Sequence, residues 1–394
     1  MAKKKYIYLD NAASASSSDF CVGDDYANPN SLHDLGRDSF QKIEEARIKM
    51  LEAIGAKRPS EIVFTSGATE ANNSLIFGIA RAAAKKRGFI DKFGIKDKSN
   101  LPRVITSIVE HESVYTPVCD LNNWGFEVVV LPVDKGGFVN PETLKEMINK
   151  NTVLVSIQSS NTEIGSIQDI KKLCEIAHSS GACFHTDAVG SFGKIPFNVS
   201  DLKVDAASFS GHKIGGPKGI GVMYLKSNTP FQPLILGSIQ EHSKRAGTQN
   251  TAGIVSIGLA VDACIRNIKD TSKRLSGLRD FLYERINTIS DVVLTVPESC
   301  NNTSYLPHIC SLLFKNSTSN DVIMYMNKKG IEVSGGSACG EHDSKKSSRV
   351  LKAIGVSKKD ALGAIRVSFG LTTTKQDVEK FIEEVINFYK DKER

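Results

Sequence analysis

No stretch of about 18 consecutive apolar residues occurs in the 394-residue chain, which excludes a single-helix membrane span. The amino terminus passes from Lys3-Lys4-Lys5 straight into Tyr6-Ile7-Tyr8-Leu9-Asp10, with no apolar signal-peptide core, and the two absences together predict a cytoplasmic protein. None of the 8 cysteines sits in a CxxC pair, and no His/Cys spacing fits zinc, which argues against a structural metal. Positive charge is not concentrated either. The net +6 is spread along the chain in small groups such as Lys85 to Arg87 and Lys345-Lys346, which read as solvated faces, so no nucleic-acid partner is expected. Internal repeats and low-complexity linkers are also missing.

What is present is an ordinary globular composition, 40% apolar and 24% charged, in a chain long enough for two domains or one large domain with an appendage. From about residue 60 to 225, strand-like runs alternate with helical patterns: Glu61 to Phe64, then helix Glu70 to Arg87; Val104 to Val109; Phe126 to Pro132; Val153 to Gln158, then helix Asp169 to Ser179; Ala182 to Thr186; Val204 to Phe209; Ile220 to Leu225. Such alternation predicts an α/β fold with a mostly parallel, buried sheet. A helix over Asp38 to Ile54, closed by Gly55, precedes it, and one long helical region, Ile254 to Ile289, follows. Two strand-like runs (Ile309 to Phe314, Ile365 to Phe369) and helices near Asp321 to Lys329 and Lys375 to Tyr389 suggest a smaller α+β domain at the end.

Chemistry-bearing residues fall repeatedly at strand ends. Lys213 follows an apolar run and lies in the glycine-rich stretch Ser210-Gly211-His212-Lys213-Ile214-Gly215-Gly216, where an amine can form a Schiff base with an aldehyde; a solvated turn lysine would look the same. Pyridoxal phosphate is the aldehyde that fits, because Ser210 and His212 can take its phosphate. Thr65-Ser66-Gly67-Ala68-Thr69 leads into a helix whose N-terminus favours a phosphate, although capping alone would also explain Thr69. His111 ends a strand and could stack on a flat ring or be a structural histidine. Asp187, at another strand end, is placed to keep a pyridine nitrogen protonated. Cys174, Cys183, Cys264 and Cys310 sit in apolar patterns and read as core, whereas Cys339 lies among glycines and serines.

In order along the chain, YLDNAA (8–13), NPNSLH (28–33), FTSGATEANN (64–73), EH (110–111), NTEIG (161–165), FHTDA (184–188), SFSGHKIGGPKGIG (208–221), KRAGTQN (244–250), SGGSAC (334–339), RVLKAIG (349–355) and IRVSFG (365–370) resemble the cysteine desulfurases of the NifS/IscS type, aspartate-aminotransferase-like (fold type I) enzymes. The resemblance implies a large cofactor domain over 15–260 and a smaller domain of 1–14 with 261–394. It implies pyridoxal 5'-phosphate on Lys213, Asp187 at the ring nitrogen and His111 on the ring, with Ala68, Thr69, Ser210 and His212 around the phosphate. Thr248 resembles a phosphate ligand given to the second subunit, which implies a homodimer with shared sites. Arg366 is similar to the arginine that takes the substrate carboxylate, with Asn161 and Thr162 near the substrate. Cys339 would take the sulfur of L-cysteine as a persulfide, leave L-alanine, and pass the sulfur to an acceptor or scaffold protein in iron–sulfur cluster or thio-cofactor assembly. A selenocysteine lyase, another aminotransferase-like enzyme and a non-catalytic binding paralogue are the alternatives.

Four positions depart from the resemblance. Gly190 stands where a glutamine donor to the cofactor ring hydroxyl is expected, and Thr162 where a second asparagine is expected. The loop 237–241 reads GSIQE where glycines are usual, and 11–27 is too short for the helix normally there.

Overall fold

A computed structural model describes residues 7–13, 27–91, 94–296, 304–336 and 348–392. Its largest sheet has seven strands in the order Ile62–Thr65, Gly221–Leu225, Ala206–Ser210, Cys183–Asp187, Thr152–Ser156, Arg103–Ser107 and Glu127–Leu131. Only Gly221–Leu225 runs antiparallel to its neighbours. All the other pairings are parallel, as the α/β reading expects.

Both faces of this sheet are covered, which is why apolar residues stand next to one another in its strands, as in Val104-Ile105, Val153-Leu154-Val155 and Val222-Met223, rather than alternating with polar ones. Val104, Leu154, Cys183, Ala206 and Met223 point to one layer, which the helix Ala68–Lys86 covers with Leu75, Ile76, Ile79 and Ala83. Their chain neighbours Ile105, Val155, Phe184, Ala207 and Val222 point to the other, covered by the helices Asp34–Ile54, Ile170–Ser179 and Thr251–Arg266. The step of one residue between the two sets is the pleat of a strand.

A second core surrounds a four-stranded sheet, Val292–Leu294, Ile309–Phe314, Ala364–Ser368 and Ser334–Gly335, and takes Phe381, Val385 and Phe388 from the helix Lys375–Lys392. The start of the chain joins it: Leu9 is buried there, Ile7–Tyr8 pairs in parallel with Ile331–Glu332, and Asp10 bridges to Ser368.

Several elements differ from the sequence reading. The region Ile254 to Ile289 is two helices, Thr251–Arg266 and Ile268–Ile286, bent by 71°. Asn267, with φ −126°, breaks them where the chain leaves one core for the other: Ile254, Ile257 and Val261 pack on the large sheet, Leu275, Leu282 and Ile286 on the small one. The first helix begins at Asp34, because the His33 ring accepts a hydrogen bond from Gly36 N at 3.1 Å and caps it. A nine-residue helix, Glu112–Asp120, and a short one, Pro141–Met147, were not anticipated, and 85–100 holds the small hairpin Ile90–Asp91 with Gly94–Ile95. Among the described residues no single helix is long and apolar enough to cross a membrane.

Candidate active site

The parallel strands end on a common edge, where an open α/β sheet binds ligands. A cavity of about 720 Å³ opens there. Its walls come from different strand ends: Asp187 closes Cys183–Asp187, Ser210 closes Ala206–Ser210, and His212 and Lys213 follow in the short turn Gly211–Lys213.

Lys213 Nζ reaches back to the start of the chain, donating to the carbonyl oxygens of Ala12 and, at 2.9 Å, Ala13. Asp187 is fixed at both oxygens: Oδ2 accepts from Asn72 Nδ2 at 2.8 Å and Oδ1 from Val189 N at 2.9 Å. Asn72 also donates to Ser113 Oγ at 2.9 Å, and Ser113 Oγ lies 2.7 Å from His111 Nδ1. A chain of polar contacts therefore runs from His111 to Asp187. His111 is the N-cap of the helix Glu112–Asp120, four residues beyond the strand Arg103–Ser107, rather than the last residue of a strand.

Ser66, Gly67, Ala68 and Thr69 form another wall at the N-terminus of Ala68–Lys86, where backbone N–H groups are unpaired within the helix. The strand beside it requires glycine: a Cβ on Gly221 would lie 2.5 Å from the Gly67 carbonyl carbon. Glu70 on this helix accepts from Ser66 N at 2.8 Å and from Arg245 Nε at 2.8 Å, which ties the polar loop around 237–248 to the same corner. Burial, then the charges of Lys213 and Lys218, lower the His212 pKa to about 4, so its ring is neutral at pH 7.

Arg366 Nη1 donates to Thr162 O at 3.2 Å, and Nη2 to Asp10 Oδ1 at 3.1 Å and Ser334 Oγ at 3.0 Å. The Asn161 amide serves the backbone at both ends, donating to Val109 O at 3.0 Å and accepting from Glu163 N at 2.8 Å and Ile164 N at 2.9 Å. Lys213, His111, Asp187, Ala68, Thr69, Ser210, His212, Arg366, Asn161 and Thr162 thus share one cavity. Thr248 is exposed and not part of its wall, and Cys339 lies outside the described residues, as does most of 11–27.

Sequence reasoning missed two buried carboxyls in the wall. Burial pushes Glu110 up to about 8, against hydrogen bonds from Ser107 Oγ at 2.5 Å and Gln158 N at 3.0 Å, and the nearby Asp187 adds to the rise. Burial also raises Glu163 to about 7, and its Oε1 has no hydrogen-bond partner among the described residues. Both stand inside quoted motifs, EH and NTEIG, but a motif does not say which carboxyl is desolvated. Asn72 was likewise hidden in FTSGATEANN, since only the fold brings it to Asp187.

Residues 7–381 match the family described as aminotransferase class-V. The chain belongs to that family. It is similar to the cysteine desulfurase IscS of Dictyoglomus turgidum, 41% identical over 95% of this chain and 92% of that one. Among solved structures it resembles a NifS-like protein with a TM-score of 0.85 and 32% identity, covering 98% of this chain and 100% of that one. It also resembles SspA in complex with cysteine, with a TM-score of 0.76 and 31% identity over 93% of this chain and 99% of that one.

Proposed function

We propose that this member of the aminotransferase class-V family is a cysteine desulfurase that uses pyridoxal 5'-phosphate, moves sulfur from L-cysteine to Cys339 and leaves L-alanine. The observation that carries the reading is convergence: Lys213, Asp187, His111 and Arg366 line one cavity, and so do Gly336 and Ser348, the described residues on either side of the segment holding Cys339.

The residues present fit the cofactor. A helix N-terminus with Thr69, Ser210 and His212 offers donors for a phosphate, Lys213 offers an amine, Asp187 is an oriented carboxylate, and Ser160 Oγ is a buried hydroxyl without a partner among the described residues. When bound, pyridoxal phosphate would supply an electron sink that weakens the C–S bond of cysteine. Asn72 and Val189 N fix Asp187, which would pair with the ring nitrogen, His111 would move a proton, and the Arg366 fork would take the substrate carboxylate in competition with Asp10. Cys339, flanked by Gly335, Gly336 and Gly340, takes the sulfur as a persulfide and offers it to an acceptor or scaffold protein.

The same reading makes the protein a cytoplasmic homodimer whose second subunit receives Thr248. Supporting it, Thr248 is exposed, and Leu32, Leu236 and Ile239 near it are 88%, 77% and 79% exposed, as expected of a surface awaiting a partner.

Protein reconstituted with pyridoxal phosphate and given L-cysteine and a thiol reductant is expected to release alanine and sulfide in equal amounts. Cys339→Ser should keep the visible absorbance of the bound cofactor and release almost no sulfide. Wild-type rates of sulfide and alanine from that variant would exclude the persulfide route.

A further inference from the structure

Ser160 is 3% exposed, lines the cavity, and its Oγ makes no hydrogen bond among the described residues. A buried hydroxyl without a partner is costly, so its position calls for an acceptor brought by a ligand. Its neighbour Ser159 donates N–H to Asp187 O at 2.8 Å, which sets Ser160 beside the proposed ring-nitrogen partner. The opposite side is Gly190, where a Cβ would lie 2.7 Å from Ser160 Oγ, 2.9 Å from Thr162 Cγ2 and 3.2 Å from Ser160 O. The bare glycine and the partnerless serine therefore belong to one arrangement: a side chain at 190 would occupy the space into which the Ser160 hydroxyl projects. Thr162 turns its methyl group, not its hydroxyl, toward that space.

We propose that Ser160 donates the hydrogen bond to the phenolic oxygen of the cofactor ring, and that Gly190 is the residue that leaves room for it. The assignment rests on the pyridoxal phosphate reading above. It makes Ser160 a cofactor-positioning residue, because a donor at that oxygen stabilises its negative charge and lowers the pH at which the Lys213–cofactor conjugate loses its proton.

The full chain is stripped and reconstituted with pyridoxal 5'-phosphate as wild type, Ser160→Ala and Thr162→Val, without substrate. Borohydride followed by mass spectrometry is expected to find the cofactor on the Lys213 peptide in all three. Ser160→Ala should weaken cofactor affinity about three- to tenfold and raise the pH midpoint of the visible absorbance by roughly half a unit to one unit, while Thr162→Val moves neither. If Ser160→Ala does not fold, Ser160→Cys, which keeps the size and only a weak donor, is read by the same criteria. A conjugate on wild-type Lys213 with unchanged affinity and midpoint in the Ser160 variant overturns the assignment, and so does an equal shift in Thr162→Val. No conjugate on wild-type Lys213 overturns the cofactor reading instead.

Discussion

Glu110 shows how one desolvated carboxyl shapes the protein's response to pH. Burial raises its pKa from 4.5 to about 8 in the folded chain, and unfolding returns it to the ordinary value. Between those limits the folded state holds a proton that the unfolded chain has released, so stability falls as pH rises through this window. Glu163, raised by burial to about 7, adds to the same slope. The melting temperature of the apoprotein is expected to drop from pH 6 to pH 8.5, and Glu110→Gln, which imitates the protonated acid toward Ser107 and Gln158, should remove much of the drop. A variant with the wild-type slope would mean that Glu110 is already ionised at pH 6. His185, lowered to about 3 by burial between Ser156 Oγ at 2.8 Å and Ser208 Oγ at 3.1 Å, acts in the opposite sense up to about pH 6.5, because there the unfolded imidazole binds a proton that the folded ring does not, and it opposes the drop only at the acid end of this range.

Among the elements, the loop before Thr248 is held by a buried ion pair. Arg47, on the helix Asp34–Ile54, meets Glu241 through two contacts, Nη1 to Oε2 at 2.8 Å and Nη2 to Oε1 at 3.0 Å, and Glu241 Oε2 also accepts from Phe64 N at 2.9 Å. One carboxylate thus joins a helix, an edge strand and a loop. It holds the loop through Glu241, His242 and Ser243 at φ 49°, 57° and 60°, a left-handed run that non-glycine residues rarely adopt. Removing one partner strands a buried charge, so Glu241→Ala is expected to cost about 3–5 kcal/mol in denaturant unfolding. Replacing both Arg47 and Glu241 by leucine should cost less than the sum of the single changes. Additive losses would show that the two are not coupled.

For the molecule as a whole, the start of the chain lies between the two cores: Leu9 is buried in the smaller one, and the Ala12 and Ala13 carbonyls accept from Lys213 on the larger. Assembly is the other question at this scale. The Asn30 side chain lies 3.4 Å from that of Gln249, which brings exposed Leu32 to the loop of Leu236, Ile239 and Thr248, and an apolar surface of this kind fits a second copy of the chain. Sedimentation is expected to find a dimer, and Leu236→Glu with Ile239→Glu should give a monomer whose affinity for pyridoxal phosphate is reduced, as the proposed sharing of Thr248 between subunits requires. A double variant that remains dimeric would place the interface elsewhere.

The α/β class and its mostly parallel sheet were legible in the sequence, because strands buried on both faces place apolar residues side by side and the helices between them carry one apolar stripe. The family was legible too, since close backbone approach and cofactor chemistry restrict which residues stand at strand ends, leaving ordered strings such as SFSGHKIGGPKGIG. Local pattern did not carry the break at Asn267, which depends on two cores competing for one apolar stretch, or the link from Asn72 to Asp187, which spans 115 positions. Nor did it carry the burial that raises Glu110 and Glu163, or the pairing of Gly190 with Ser160. Desolvation and steric exclusion depend on what the rest of the chain places around a residue, so tertiary structure alone decided which of these polar groups are paired, protonated or left with a donor to offer.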